Sequence, residues 1–257
     1  MLNTNDQRTV SRYCDLMDTE IESIAELARH ADLGLPAPTC PGWTLGDVVR
    51  QTGEMFRWIE PIVHGQANRQ TGFHHLDISG PDSPAERIDW LVSTGRTLLT
   101  SLRAADPDRP MWTWGSEQTA RFWARRAYFN TAIHRADLEL ALGELPSFPA
   151  GVAVDGVQEF LQILAYAAEV SPRIAMLRGK GEILRLLGPE VCWRIELNPR
   201  GYEWRQTGGA GPADTTITAR RPDDLLLFVW GRVGEPRITI TGDRRLARTW
   251  TELSAFN

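Results

Sequence analysis

Between residues 6 and 31 the apolar side chains Val10, Cys14, Met17, Ile21, Ile24 and Ala28 recur at steps of three and four, which draws one stripe along a helix. Leu33-Gly34-Leu35-Pro36-Ala37-Pro38 interrupts that period, and Pro41-Gly42 turns the chain. Thr44 then offers a hydroxyl to cap a second helix over residues 45–63, with Asp47 in its first turn. A polar loop containing His74 and His75 follows. Asp82-Ser83-Pro84 gives a cap and a proline at the first helical position, and Ile88, Leu91, Val92, Leu98, Leu99 and Leu102 line a third helix. Beyond a loop rich in proline and tryptophan, a fourth helix over residues 119–142 stops at Gly143. Four long helices in series predict a bundle.

The period then changes. Residues 144–151 carry two prolines and a glycine without periodicity, so the sequence places a linker between a domain of residues 1–145 and another of residues 151–257. Residues 154–170 read as a helix. Val191, Trp193, Ile195 and Leu197 alternate with Cys192, Arg194 and Glu196, and Ile238 and Ile240 alternate with threonines, the pattern of half-buried strands. Pro222-Asp223-Asp224 opens a short helix over residues 225–229, and Asp243 opens a last one over residues 246–253. The expected fold class is α+β, a helical bundle followed by a smaller α/β domain.

Composition narrows the function. The 28 basic and 33 acidic residues leave a net charge of −5, which gives no field for a nucleic-acid backbone or an anionic membrane. No apolar run approaches the roughly 20 residues of a membrane span. The polar residues 1–10 lack a basic start and an apolar stretch, so the expectation is no signal peptide and a cytoplasmic protein. Lys180 is the only lysine, the arginine bias of a GC-rich genome such as an actinobacterial one. Cys14, Cys40 and Cys192 have no metal-type or redox spacing and read as free thiols. Nothing in the sequence signals an oligomeric state.

Arg125, Arg126, Asn130, His134 and Asp137 form a dense polar group on the fourth helix. Arg126 could pair with a substrate carboxylate, and His134, its tautomer set by Asp137 or Asn130, could act as a general acid or base. Trp43, Trp58, Trp112, Trp114 and Trp123 either line an apolar cleft or pack in the core. Cys40 sits in a turn just before a helix start, and its expected role is structural.

Cys40-Pro41-Gly42-Trp43-Thr44 running on to Gln51 and Trp58, and Arg125-Arg126 running on through Asn130 and His134 to Asp137, resemble the N-terminal domain of mycothiol-dependent maleylpyruvate isomerases, of the DinB-like superfamily. Asp155-Gly156-Val157-Gln158-Glu159-Phe160-Leu161, and the segments from Asp223 to Arg232 and from Ile240 to Asp243, resemble that family's second, sterol-carrier-like domain. The resemblance implies a four-helix bundle with a substrate cleft, a small-molecule substrate and mycothiol as thiol cofactor. It also implies a divalent metal held by a histidine, a glutamate and a second histidine. Gln51, Asn130 and His134 stand at those positions, and two neutral amides are poor substitutes for imidazole and carboxylate. The expectation is therefore an isomerase or S-transferase working without the usual metal, with His134, Asn130 and Gln51 as catalytic residues and Arg126, Trp58 and Arg232 binding substrate. Two alternatives stand beside it: a displaced metal site of His134, Glu54 and Asp137, and a non-catalytic small-molecule binding module.

Overall fold

The computed structural model describes residues 4–65, 77–169, 171–209 and 211–256. The predicted loop histidines His74 and His75, and Val170 at the end of the expected fifth helix, lie outside these residues. The chain forms two compact units, residues 1–146 and 147–257.

The first unit is built from α1 (Thr4–His30), α2 (Leu45–Gly65), α3 (Pro84–Ala104) and α4 (Ala120–Ala141). α1 packs on α3 and α4, and α2 packs on the same two helices, which makes a bundle. The stripe read along α1 is the buried one: Val10, Cys14, Met17, Ile21, Ile24 and Ala28 all face the core, as do Ile88, Leu91, Val92, Leu98, Leu99 and Leu102 of α3. Burial pushes the Cys14 thiol up to about 11, which keeps it a protonated, inert core group. The helices approach closely where glycine removes a side chain: a Cβ on Gly53 would lie 2.1 Å from the Trp90 ring, and one on Gly95 would lie 2.6 Å from Ile21. Trp58, buried on α2, meets Trp112, Trp114 and Trp123 with ring centroids 6.2, 5.1 and 5.4 Å away, so these indoles pack against one another.

The turn into α2 forms as the sequence requires. The backbone N–H and hydroxyl of Thr44 donate to Asp47 Oδ2 at 3.0 and 2.8 Å, and the Asp47 N–H donates back to the Thr44 hydroxyl at 3.2 Å. Ser83 by contrast makes no side-chain cap bond, so α3 relies on Pro84 for its start. Gly143, at φ +81°, ends α4 in the left-handed conformation. The Thr44 N–H bond, the largest influence on Asp47, holds that carboxyl below the usual carboxylate range. Asp47→Ala is therefore expected to cost about 1 kcal/mol at neutral pH. The wild-type advantage is in place above about pH 4 and is lost as pH falls through the lower folded value. Urea denaturation of both proteins across that range should give curves that converge in acid, and a constant gap would refute the cap.

The second unit runs α5 (Ala150–Ala167), a short 3-10 turn, β1 (Ile183–Leu187), β2 (Cys192–Asn198), β3 (Gly201–Thr207), β4 (Thr215–Ala219), α6 (Pro222–Val229), β5 (Ile238–Gly242) and α7 (Arg244–Leu253). The strands form one sheet in the order β3-β2-β1-β4-β5, with β1 and β4 parallel and the other pairs antiparallel. α5 packs on α6. Leu161, Leu164, Trp193, Ile195, Leu226 and Trp250 are among its buried residues. In β2 the alternation is imperfect: Cys192, expected on the outer face, is buried as well. Asp243 caps α7 by accepting the Arg245 and Leu246 N–H groups. Among the described residues no helix is long and apolar enough to cross a membrane.

Candidate functional site

α4 places Asn130, His134 and Asp137 at spacings of four and three, which brings them to one side of the helix. Asp137 is wholly buried and collects donors from two parts of the chain. The Thr39 hydroxyl donates to its Oδ1 at 2.6 Å, the Cys40 thiol to its Oδ2 at 3.3 Å, and His134 Nδ1 lies 3.0 Å from the same Oδ2. An ionised carboxylate in such a position is tolerable only because hydrogen bonds replace its water. With Nδ1–H directed at a carboxylate, Nε2 of His134 carries the lone pair, a tautomer that follows from the partner.

The Thr39 and Cys40 donors are fixed by the turn between α1 and α2. Ala37 N–H donates to Trp43 O at 2.9 Å, Cys40 N–H to Ala37 O at 2.9 Å, and Trp43 N–H to Cys40 O at 3.0 Å, with Gly42 at φ +85°. The same turn sets the Trp43 ring beside His134, centroids 6.3 Å apart and planes at 31°. Cys40 Sγ, one ring nitrogen of His134 and one oxygen of Asp137 all lie within 4.8 Å of one another. That grouping spans nearly a hundred residues of chain, so spacing alone could not reveal it. For Cys40 the sequence signal is its place in a proline-bounded turn, Pro38-Thr39-Cys40-Pro41.

The other candidates fall in different surroundings. Asn130 is partly buried, and its Oδ1 is buried without a hydrogen-bond partner among the described residues. Gln51 is partly buried on α2, the helix that packs on α4. Arg126, for which the plain expectation from sequence is surface exposure, is 2% exposed on α4. Arg125 lies over the Phe129 ring at 5.9 Å. Trp58 sits in the indole cluster. Arg232 belongs to the second unit, where its guanidinium donates to Trp230 O at 2.7 Å. Glu54 accepts from Arg50 at 3.3 Å and from the Gly80 N–H at 3.4 Å, and it is Cys40 that completes the group around His134 and Asp137. His30 and His64 are exposed beside Glu26 and Glu60, as solvated histidines are.

A helical bundle with a buried histidine–carboxylate pair on its last helix, followed by a unit with a five-stranded sheet, defines a two-unit α+β protein. Residues 14–139 match the mycothiol maleylpyruvate isomerase N-terminal domain, so the first unit carries a domain of that family. The fold is similar to a crystal structure of a mycothiol-dependent maleylpyruvate isomerase, at 13% identity and a TM-score of 0.57. It is likewise similar to a point mutant of that isomerase, at 14% identity and a TM-score of 0.64. In both cases the match covers 90% of this chain and 92% of the other. No curated protein matches the sequence.

Proposed function

We propose that the chain is a small-molecule enzyme of the mycothiol-dependent isomerase or S-transferase type, in which the His134–Asp137 pair handles the proton that a metal would otherwise make labile. The observation that carries this reading is the 3.0 Å contact between His134 Nδ1 and a carboxylate held by two further donors. It orients the ring and sets its tautomer, which leaves the Nε2 lone pair directed away from the carboxylate. The family's metal does not fit the residues at its positions. Gln51 and Asn130 bring no charge and no imidazole nitrogen, and the orphaned Asn130 Oδ1 is a neutral, hard donor.

In this reading mycothiol, when bound, would supply the nucleophilic sulfur for isomerisation of a conjugated alkene or for S-transfer. His134 Nε2 would accept the proton of that thiol and return it when the reaction closes. Gln51 and Asn130 are the proposed hydrogen-bonding residues, Trp58 the apolar backing and Arg126 the carboxylate anchor.

Mycothiol is accordingly expected to stabilise the protein in a thermal-shift titration, by about 2.7 kcal/mol when present at a hundred times its dissociation constant. An unchanged melting temperature at millimolar mycothiol would remove the cofactor from the proposal.

A further inference from the structure

We infer that Cys40, His134 and Asp137 form a binding site for a zinc-class divalent cation, with the Cys40 sulfur as the defining ligand. The site is distinct from the amide-substituted positions of Gln51 and Asn130. Three observations carry it. The donor set is a thiol, an imidazole nitrogen and a carboxylate, a mixture that suits zinc and its neighbours and disfavours magnesium or calcium. The donor atoms are already gathered: Sγ and Nδ1 stand 3.3 and 3.0 Å from Asp137 Oδ2, and all three atoms lie within 4.8 Å of one another. Ligands around a tetrahedral zinc sit about 3.3–3.8 Å apart, given metal–ligand bonds of about 2.0–2.3 Å, so a side-chain shift of at most about 1 Å would close the Cys40–His134 separation. Finally, a supporting partner is in place, because the Thr39 hydroxyl at 2.6 Å holds the other oxygen of Asp137 and would keep Oδ2 turned toward the ion.

The balance of protons and charge is simple. Cys40 releases its thiol proton to solvent, and the His134 proton moves from Nδ1 to Nε2, which leaves the imidazole neutral. The thiolate and the Asp137 carboxylate together cancel the two charges of the ion, so the filled site is neutral, as suits the burial of all three residues. Three protein ligands are the number that catalytic zinc sites use, the fourth being water or a bound ligand. An ion at Nδ1 replaces the hydrogen bond that orients the ring in the metal-free protein, so the two states of His134 exclude each other.

Cobalt(II) titration of the metal-stripped protein, followed by absorption spectroscopy and competed with zinc, tests the site. The expected result is one equivalent of cobalt, tetrahedral visible bands and a near-ultraviolet sulfur-to-cobalt charge-transfer band. Cys40→Ser should lose the charge-transfer band and bind zinc at least about 100-fold more weakly. Asn130→Ala should keep both the band and the affinity. No cobalt bound by the wild-type protein at millimolar concentration overturns the inference without any appeal to the variants. Cobalt bound without a thiolate band, and lost in Asn130→Ala, also overturns it by returning the ion to the family positions. The first failure leaves the acid–base reading of His134 standing, whereas the second removes it, because His134 stands at one of the family positions. Zinc bound through Cys40 that raises turnover would support the site while overturning that reading.

Discussion

His134→Ala is expected to lower kcat/KM for mycothiol-dependent conversion of a small electrophile by ~10²–10⁴-fold, the usual worth of a positioned acid or base. Exogenous imidazole should restore part of the loss, since the variant leaves space where the ring stood. Asp137→Asn should fall with it for a different reason. The new amide can donate to Nδ1, which leaves the ring proton on Nε2, the atom that must accept the thiol proton. Steady-state kinetics on the three proteins, each checked by circular dichroism for an intact helical fold, gives the comparison. Unchanged turnover in His134→Ala would end the acid–base proposal, and rescue by imidazole is an outcome that a purely structural role would not produce.

Arg135→Met should be the most damaging substitution for stability. Arg135 is 7% exposed and pairs with both Glu20, from α1, and Glu139, one turn along α4. Burial is the largest influence on Glu20 and raises its carboxyl, and the Arg135 charge opposes that rise. Without the arginine, two acids are left with no counter-charge between them. The expected cost is about 3–5 kcal/mol, or roughly 6–20 °C in Tm. The pH dependence identifies the cause. A carboxyl whose folded pKa is raised contributes stability that is present below its unfolded value, about 4.3, and lost as pH rises through the folded value. The deficit of the variant should thus shrink on acidification. A deficit equal at pH 4 and pH 7 would point to lost packing instead.

The helical half of the fold was legible because its signals are local. The stripe of α1, the Thr44–Asp47 cap and the Gly143 stop each depend on residues within a few turns of one another, and each stands in the structure. The strand half was read in part: β2 and β5 announced themselves by alternation, whereas β1, β3 and β4 carry arginines, glutamates and threonines that blur it. At the candidate site, His134 and Asp137 were readable as neighbours on one helix. Cys40 was not, because its bond to Asp137 joins segments 97 residues apart and depends on how α4 packs against the turn after α1. Glu54 misled for the complementary reason: helical spacing put a carboxylate near Gln51, but Arg50, four residues before it, had already claimed that carboxylate.

Among the described residues the sheet of the second unit ends at β3 and β5, each bordered by a strand on one side only. Such a border invites strand addition from another molecule unless charge or shape discourages it. On β3, Glu203 and Arg205 both stand exposed, so an added strand in register would have to strip water from a carboxylate and a guanidinium on the same face. β5 is short and ends at Gly242, whose φ of +85° turns the chain away into α7. Ionic side chains on one margin and an abrupt end on the other both disfavour the addition of a further strand.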